Sequence, residues 1–385
     1  MHRVFCGELI TDGVNFGPKS LLIDDGKIVS HEEYSPGVRV DSPDIDLTSH
    51  AVLPGMIDIH VHGGGGRDLM EGTVEVIEFM SRRLANCGVT AFLSTPLTAP
   101  LDAIATCCAA AEDAMKGDLP GARLVGLHLE GPYINLKYKG AQPPEFIRTP
   151  DASEFEATFD RWMDLIKVVT LAPEVEGGFD LVKFLSNQGI IASVGHTNAT
   201  FDEVSRAIDM GARHATHCFC AMRPMHHRDP GTVGAVLARA ELKAELIWDN
   251  VHVVEPIAKI LCQIKGASHV ICVSDGTTGA GMPEGYRFEL WGHGAIVKNG
   301  AARLEEDETT LAGSAIGMDA CLRNAESALG LEAATLLCCA NPAESLGLQG
   351  KLGTLAVGAE ADFFGWSRKS RSIVETYIAG RRAPA

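Results

Sequence analysis

Eight apolar runs of strand length, most of them separated by segments of helical periodicity, predict an α/β chain whose centre is a (β/α)8 TIM-type barrel. Strand-like, glycine-punctuated stretches at both ends of the chain add a small β-sandwich domain built from both termini. A third observation fits the first: His, Glu and Asp residues close several of the apolar runs, and barrels carry their chemistry at the C-terminal ends of strands. The expected division is 1–53 for the N-terminal part of the small β domain, 54–345 for the barrel and 346–385 for the C-terminal part of the small domain.

The N-terminal part reads as short strands at 4–10, 20–23 and 27–30, with Asp24-Asp25-Gly26 as the hairpin turn between the last two. Its complement is expected at 353–357, 361–366 and 373–378, so that the two chain ends pair and the middle is an insertion. In the middle the strand-like runs fall at 52–62, 89–96, 123–130, 167–174, 190–196, 214–219, 242–249 and 269–275. Between them, Val74, Ile77, Met80 and Leu84 mark one apolar helical stripe ended by Gly88. Another helix opens at Thr200 with Glu203 at capping-box spacing and closes at Gly211.

The 385 residues, 46% hydrophobic and 22% charged, have the balance of a soluble globular protein with ample core. A net charge of −17 argues against a nucleic-acid or anionic-membrane partner, and it requires a local cluster of basic groups for any anionic substrate. No run of eighteen apolar residues occurs and the N-terminus lacks an apolar leader-like stretch, so a cytoplasmic location is expected. The eleven cysteines are scattered or adjacent, without CxxC spacing, and read as free thiols.

His60 and His62 alternate on one strand, which places them on the same face, and Gly63-Gly64-Gly65-Gly66 follows without side-chain obstruction. Later strands end at Glu130, His196, His217 and Asp275. Taken singly, each has an ordinary structural reading: a core histidine, a buried salt-bridge partner, a helix cap. Six at one level of one barrel favour a divalent metal site, because neutral imidazoles and carboxylates are the ligands of Zn²⁺ and related ions. Such an ion activates water for hydrolysis. A carboxylate not committed to it, Asp275, is placed to take the proton and return it to a leaving amine.

These residues stand in longer motifs: Asp58-Ile-His60-Val-His62-Gly, His128-Leu-Glu130-Gly-Pro-Tyr, Gly195-His196-Thr-Asn-Ala-Thr, Ala215-Thr-His217, His227-Arg228-Asp-Pro-Gly, Ser274-Asp275 and Gly313-Ser-Ala. Together they resemble the amidohydrolase superfamily, and within it the branch that deacetylates N-acetylhexosamine 6-phosphates. The resemblance implies that Glu130, His196 and His217 hold the principal metal. It also implies that His60 and His62 complete a second position with Glu130 bridging, for one or two divalent ions per subunit, zinc foremost with iron, manganese and cobalt open. It gives Asp275 the acid/base role and makes the protein a homodimer in which His252, together with Arg228 of the neighbouring subunit, binds the sugar phosphate. His227, Gln142, Cys220 and Ala221 fall at substrate-binding positions of the same pattern.

The chain departs from that pattern at three places. Cys220 stands where an Asn is usual and lacks an amide's donors and acceptor, leaving it either a soft extra ligand or a packed thiol. Gln142 replaces a histidine found in several members, and Trp248-Asp-Asn precedes His252 where smaller residues are usual. The expected reaction is removal of the N-acetyl group from N-acetylglucosamine 6-phosphate, giving glucosamine 6-phosphate and acetate. The galacto epimer, another N-acyl or cyclic amide, and a metal- or sugar-phosphate-binding protein without turnover stay open beside it, Asp275 weighing against the last.

Overall fold

The computed structural model describes residues 1–35 and 37–384. Its centre is a sheet of eight parallel strands in chain order: Met56–Val61, Val89–Ser94, Arg123–Glu130, Ile166–Leu171, Ile191–Val194, His214–Ala215, Lys243–Ile247 and Val270–Val273. Helices between consecutive strands cover the outside, among them Val74–Asn86, Gly178–Asn187 and Phe201–Met210. The last carries the predicted capping box, Thr200 and Glu203 each bonding the other's backbone N–H, and ends on Gly211. The cylinder closes between its last and first strands, where Asp275 N–H donates to the His60 carbonyl (2.9 Å) and His62 N–H to the Gly276 carbonyl (2.9 Å).

Chain ends meet in a second sheet. His2–Thr11 runs parallel to Ile45–Pro54, which pairs antiparallel with Phe363–Ser367; Ser372–Ile378 and the hairpin Lys19–Asp24, Lys27–Glu32 extend the two sides. The run expected at 52–62 is therefore two strands in two sheets. Gly55 is the joint, packed so tightly that a Cβ there would lie 1.9 Å from Thr90 Oγ1. The strand expected at 353–357 does not form, because Leu355 N–H is taken by the Thr11 hydroxyl (2.9 Å) while its side chain fills the core of the terminal sheet.

Inside the barrel, Ile57, Ile59, Leu93, Val168, Ile247 and Ile271 come from opposite strands and meet in one apolar cluster. Strict alternation from Ile57 and Ile59 would point His60 outward. The pairing with Val89–Ser94 shifts register between Asp58 and Val61, and this irregularity delivers His60 and His62 to the interior. After the last barrel strand the chain builds a four-stranded antiparallel sheet, Arg287–Leu290, His293–Lys298, Ala301–Leu304 and Leu311–Ser314. Sequence periodicity did not reveal this unit, which returns to the mouth of the barrel.

Candidate active site

At the C-terminal mouth of the barrel, six residues from five strand ends bring nitrogen and oxygen donors within contact distance. Glu130 Oε1 lies 3.0 Å from His196 Nε2 and 2.9 Å from His217 Nε2, with 3.1 Å between the two imidazole nitrogens. Beside them His60 Nε2 and His62 Nε2 are 3.2 Å apart, and Asp275 Oδ1 is 3.6 and 3.2 Å from them. Glu130 faces both groups, Oε1 at 3.5 Å from His60 and Oε2 at 3.4 Å from His62. All six residues are buried.

Three of the four imidazoles are aimed by what holds the other nitrogen. His62 Nδ1–H donates to the Thr95 carbonyl (2.9 Å) and His196 Nδ1–H to the Tyr138 carbonyl (2.9 Å). His60 Nδ1–H donates to the buried Glu245 carboxylate (3.0 Å). These bonds fix the tautomer with the Nε2 lone pair turned inward. Lone pairs crowded at 3.1–3.2 Å around two carboxylates repel unless positive charge lies among them. The electrostatics agree. Burial opposes charge on His62 and His217, yet Asp275 and Glu130 lift both to about 9. Burial likewise opposes ionisation of Glu130, yet His60 and His196 hold it well below the usual carboxylate range. The donor set fits one or two divalent cations, with Glu130, His196 and His217 as one group and His60, His62 and Asp275 as the other.

Strain accompanies this arrangement. His196, His217 and Asp275 all have positive φ (45°, 28° and 46°), a conformation side-chain-bearing residues adopt only where surrounding structure imposes it. Each sits at the bend where a strand becomes a loop, which swings the side chain over the barrel mouth.

A cavity of about 390 Å³ opens above the cluster, and Gln142, Cys220, Ala221 and His252 line it. Gln142 is anchored at both ends of its amide: Nε2 donates to Glu130 Oε2 (2.8 Å) and Oε1 accepts from Thr98 N–H (3.0 Å). Burial pushes the Cys220 thiol up. His252 is anchored through Nδ1 to Asp249 Oδ2 (2.6 Å), while Asp249 Oδ1 accepts from the Val251 and His252 N–H groups. That is the use of the unusual Trp248-Asp-Asn stretch. His227 and Arg228, in contrast, lie on an exposed turn and do not line their own chain's cavity. The neighbouring Asp229 is taken by Arg223 (Nε–Oδ2 3.1 Å), leaving Arg228 paired only with His227 (2.7 Å) among the described residues.

Three residues escaped sequence reasoning. Glu245 and His128 lie beneath the donors, and burial with the neighbouring His60 pushes His128 down to about 3, so it stays neutral. Its Nδ1–H donates to the Ile59 carbonyl and its Nε2 accepts from the Thr170 hydroxyl, both at 2.8 Å. A charged residue inside the apolar run Lys243–Ile247 was the available signal for Glu245. The third, Trp291, had none.

The fold and the donor cluster define a metal-dependent hydrolase, and the Amidohydrolase family matches residues 51–383, so the chain belongs to the amidohydrolase family. Within it, the chain is 36% identical over 351 residues to an N-acetylglucosamine-6-phosphate deacetylase of Bacillus subtilis (strain 168), covering 88% of this chain and 86% of the relative. It is 35% identical over 368 residues to an N-acetylgalactosamine-6-phosphate deacetylase of Escherichia coli O157:H7, covering 94% and 93%. Among solved structures, the N-acetyl-D-glucosamine-6-phosphate deacetylase of Mycobacterium smegmatis superposes over 100% of both chains with a TM-score of 0.92 at 29% identity.

Proposed function

We propose that this chain hydrolyses the N-acetyl group of N-acetylglucosamine 6-phosphate: water adds to the amide carbonyl, the C–N bond breaks, and acetate and glucosamine 6-phosphate leave. The observation that carries the reading is the convergence of Glu130, His60, His62, His196, His217 and Asp275 on the floor of one cavity, in a chain similar to such deacetylases over most of its length. When bound, a divalent ion supplies Lewis acidity toward the carbonyl and acidifies the attacking water; zinc suits the His and carboxylate donors. Glu130, His196 and His217 would hold it, and His60 and His62 with Glu130 would hold a second.

Asp275 accepts the water proton on its carboxylate and delivers it to the departing nitrogen, so the amine leaves neutral. The neighbouring imidazoles keep Asp275 ionised against burial, which readies it as the base. Gln142 fixes Glu130, and Asp249 presents Nε2 of His252 to the sugar phosphate. Arg228, exposed and without a carboxylate partner among the described residues, reaches the phosphate of a second copy's pocket in a homodimer. No helix among the described residues is long and apolar enough to cross a membrane, and with all eleven cysteines free we place the protein in the cytoplasm.

The galacto epimer is the second reading, because the E. coli relative named for it is as similar as those named for the gluco substrate. Acetate release measured over both N-acetylhexosamine 6-phosphates and their unphosphorylated forms tests the proposal. A higher kcat/KM for the gluco phosphate supports it, and release from the unphosphorylated sugars alone overturns it. Arg228→Ala and His252→Ala lower activity on the phosphorylated substrates only.

A further inference from the structure

Trp291 stands where its backbone alone would not put it. Strands Arg287–Leu290 and His293–Lys298 form a hairpin with Leu290 opposite His293, leaving Trp291 and Gly292 as a two-residue turn with φ of 53° and 87°. Positive φ at both positions is the geometry that favours Asn-Gly or Asp-Gly, and an indole at the first of them is strained. Such an outlier persists when the side chain's destination matters. The destination is the cavity: Trp291 lines it and meets the His62 ring edge-on, centroids 5.5 Å apart at 74°. Its nitrogen is buried, on the side of Asp68.

Trp291 packs against an apolar cluster that includes Leu290, Ala141 and Ala312, the last two also lining the cavity. With the indole N–H buried, this wall presents no side-chain hydrogen bond to a hydroxyl or a phosphate, whereas Lys137 and His252, elsewhere in the lining, do. A scissile amide at the donor cluster carries two unlike substituents: a sugar rich in polar groups and an acyl tail that is apolar. The tail matches the Trp291 wall, and the indole stands beside His62, where the carbonyl's own substituent must fit.

Resting on the deacylation reading above, we infer that Trp291 closes the acyl subsite and restricts the enzyme to acetyl-sized groups. It is a specificity-determining residue. Removing the ring opens space next to His62 for a longer tail and leaves the phosphate and proton-transfer groups in place.

The test compares wild type with Trp291→Gly and Trp291→Phe on glucosamine 6-phosphate carrying N-acetyl, N-propionyl and N-butyryl groups, following amine release. Glycine suits the left-handed backbone and offsets part of the packing lost with the ring, and the thermal midpoint of each variant is measured alongside to confirm folding; the Phe variant preserves an aromatic ring as a graded control. The expected result is a butyryl-to-acetyl ratio of kcat/KM raised about ten-fold or more in Trp291→Gly, with Trp291→Phe between, since a methylene in an apolar pocket discriminates by roughly 10–200-fold. A wild type inactive on every member removes the deacylation reading itself. An active wild type whose Trp291→Gly variant keeps the ratio within about two-fold overturns the acyl-subsite assignment alone, as does a raised KM for all three substrates at constant ratio, which places the ring against the sugar.

Discussion

Glu245 has no place in the cavity, yet its removal should empty half of the metal site. Its carboxylate receives Nδ1–H of His60 at 3.0 Å in a fully buried setting, and His60 with Glu245 holds the ring so that Nε2 faces His62 and Asp275. In Glu245→Ala the His60 N–H loses its acceptor where no water reaches, and the ring is free to present the wrong tautomer. A hydrogen bond to a charged group contributes about 1.5–3 kcal/mol, which corresponds to roughly 10–150-fold in an equilibrium constant. Loss of a group that orients a metal-binding histidine typically weakens affinity by about 10–100-fold, so two independent estimates agree. The deficit should fall on one ion only, because Glu130, His196 and His217 do not touch Glu245 through their ligand atoms. The assay is calorimetric titration of the chelator-stripped protein with Zn²⁺, with elemental analysis of the loaded form. Glu245→Gln keeps an acceptor oxygen and should lose only a few-fold. Two ions bound by Glu245→Ala with wild-type affinities would refute the reasoning.

Other outcomes follow from the same geometry. Asp275→Asn should lower kcat by about 10²–10⁴-fold through loss of the proton carrier, with the Glu130, His196 and His217 position still binding metal in elemental analysis; undiminished turnover contradicts the acid/base role. Glu130→Ala should lose both ions, since its two oxygens face the two groups, and one ion retained at wild-type affinity would show it does not bridge. Stripping metal from the wild type should lower its thermal midpoint, the stabilisation being about 4 kcal/mol at free metal 1,000-fold above Kd; calorimetry showing no shift after verified removal contradicts a folded-state site. Gly55→Ala forces a methyl to 1.9 Å from Thr90 Oγ1 and should destabilise by about 1–3 kcal/mol in urea denaturation, with no effect on metal stoichiometry.

Much of this was legible in one dimension because barrel chemistry is tied to strand ends. Apolar runs terminated by Glu130, His196, His217 and Asp275 locate those side chains at one level once the strands are parallel and in chain order. Local rules also held in the Thr200–Glu203 capping box and the Asp25-Gly26 hairpin, since both depend on neighbours in sequence. That the two chain ends pair was expected from their strand-like character, whereas the strand Ile45–Pro54 that joins His2–Thr11 to Phe363–Ser367 was not.

What periodicity could not show depends on contacts between distant residues. The strand expected at 353–357 gave way to a side-chain bond from Thr11, and the supposed single run at 52–62 divided at Gly55 because Thr90 packs against it. Gln142 reads from its position as a substrate contact; what the structure adds is that its amide also bonds Glu130 and Thr98. Glu245 and Trp291 carry no motif, and the role of His128 within its motif is defined, like theirs, by what lies across the barrel or across a hairpin. By itself the sequence determined the barrel, the pairing of the chain ends and the six donors, because strand patterning and strand-end chemistry are written locally. Only the tertiary structure decided how those donors divide around Glu130, which groups aim them and what walls the cavity, because hydrogen-bond direction and burial arise when chain segments hundreds of residues apart are brought into contact.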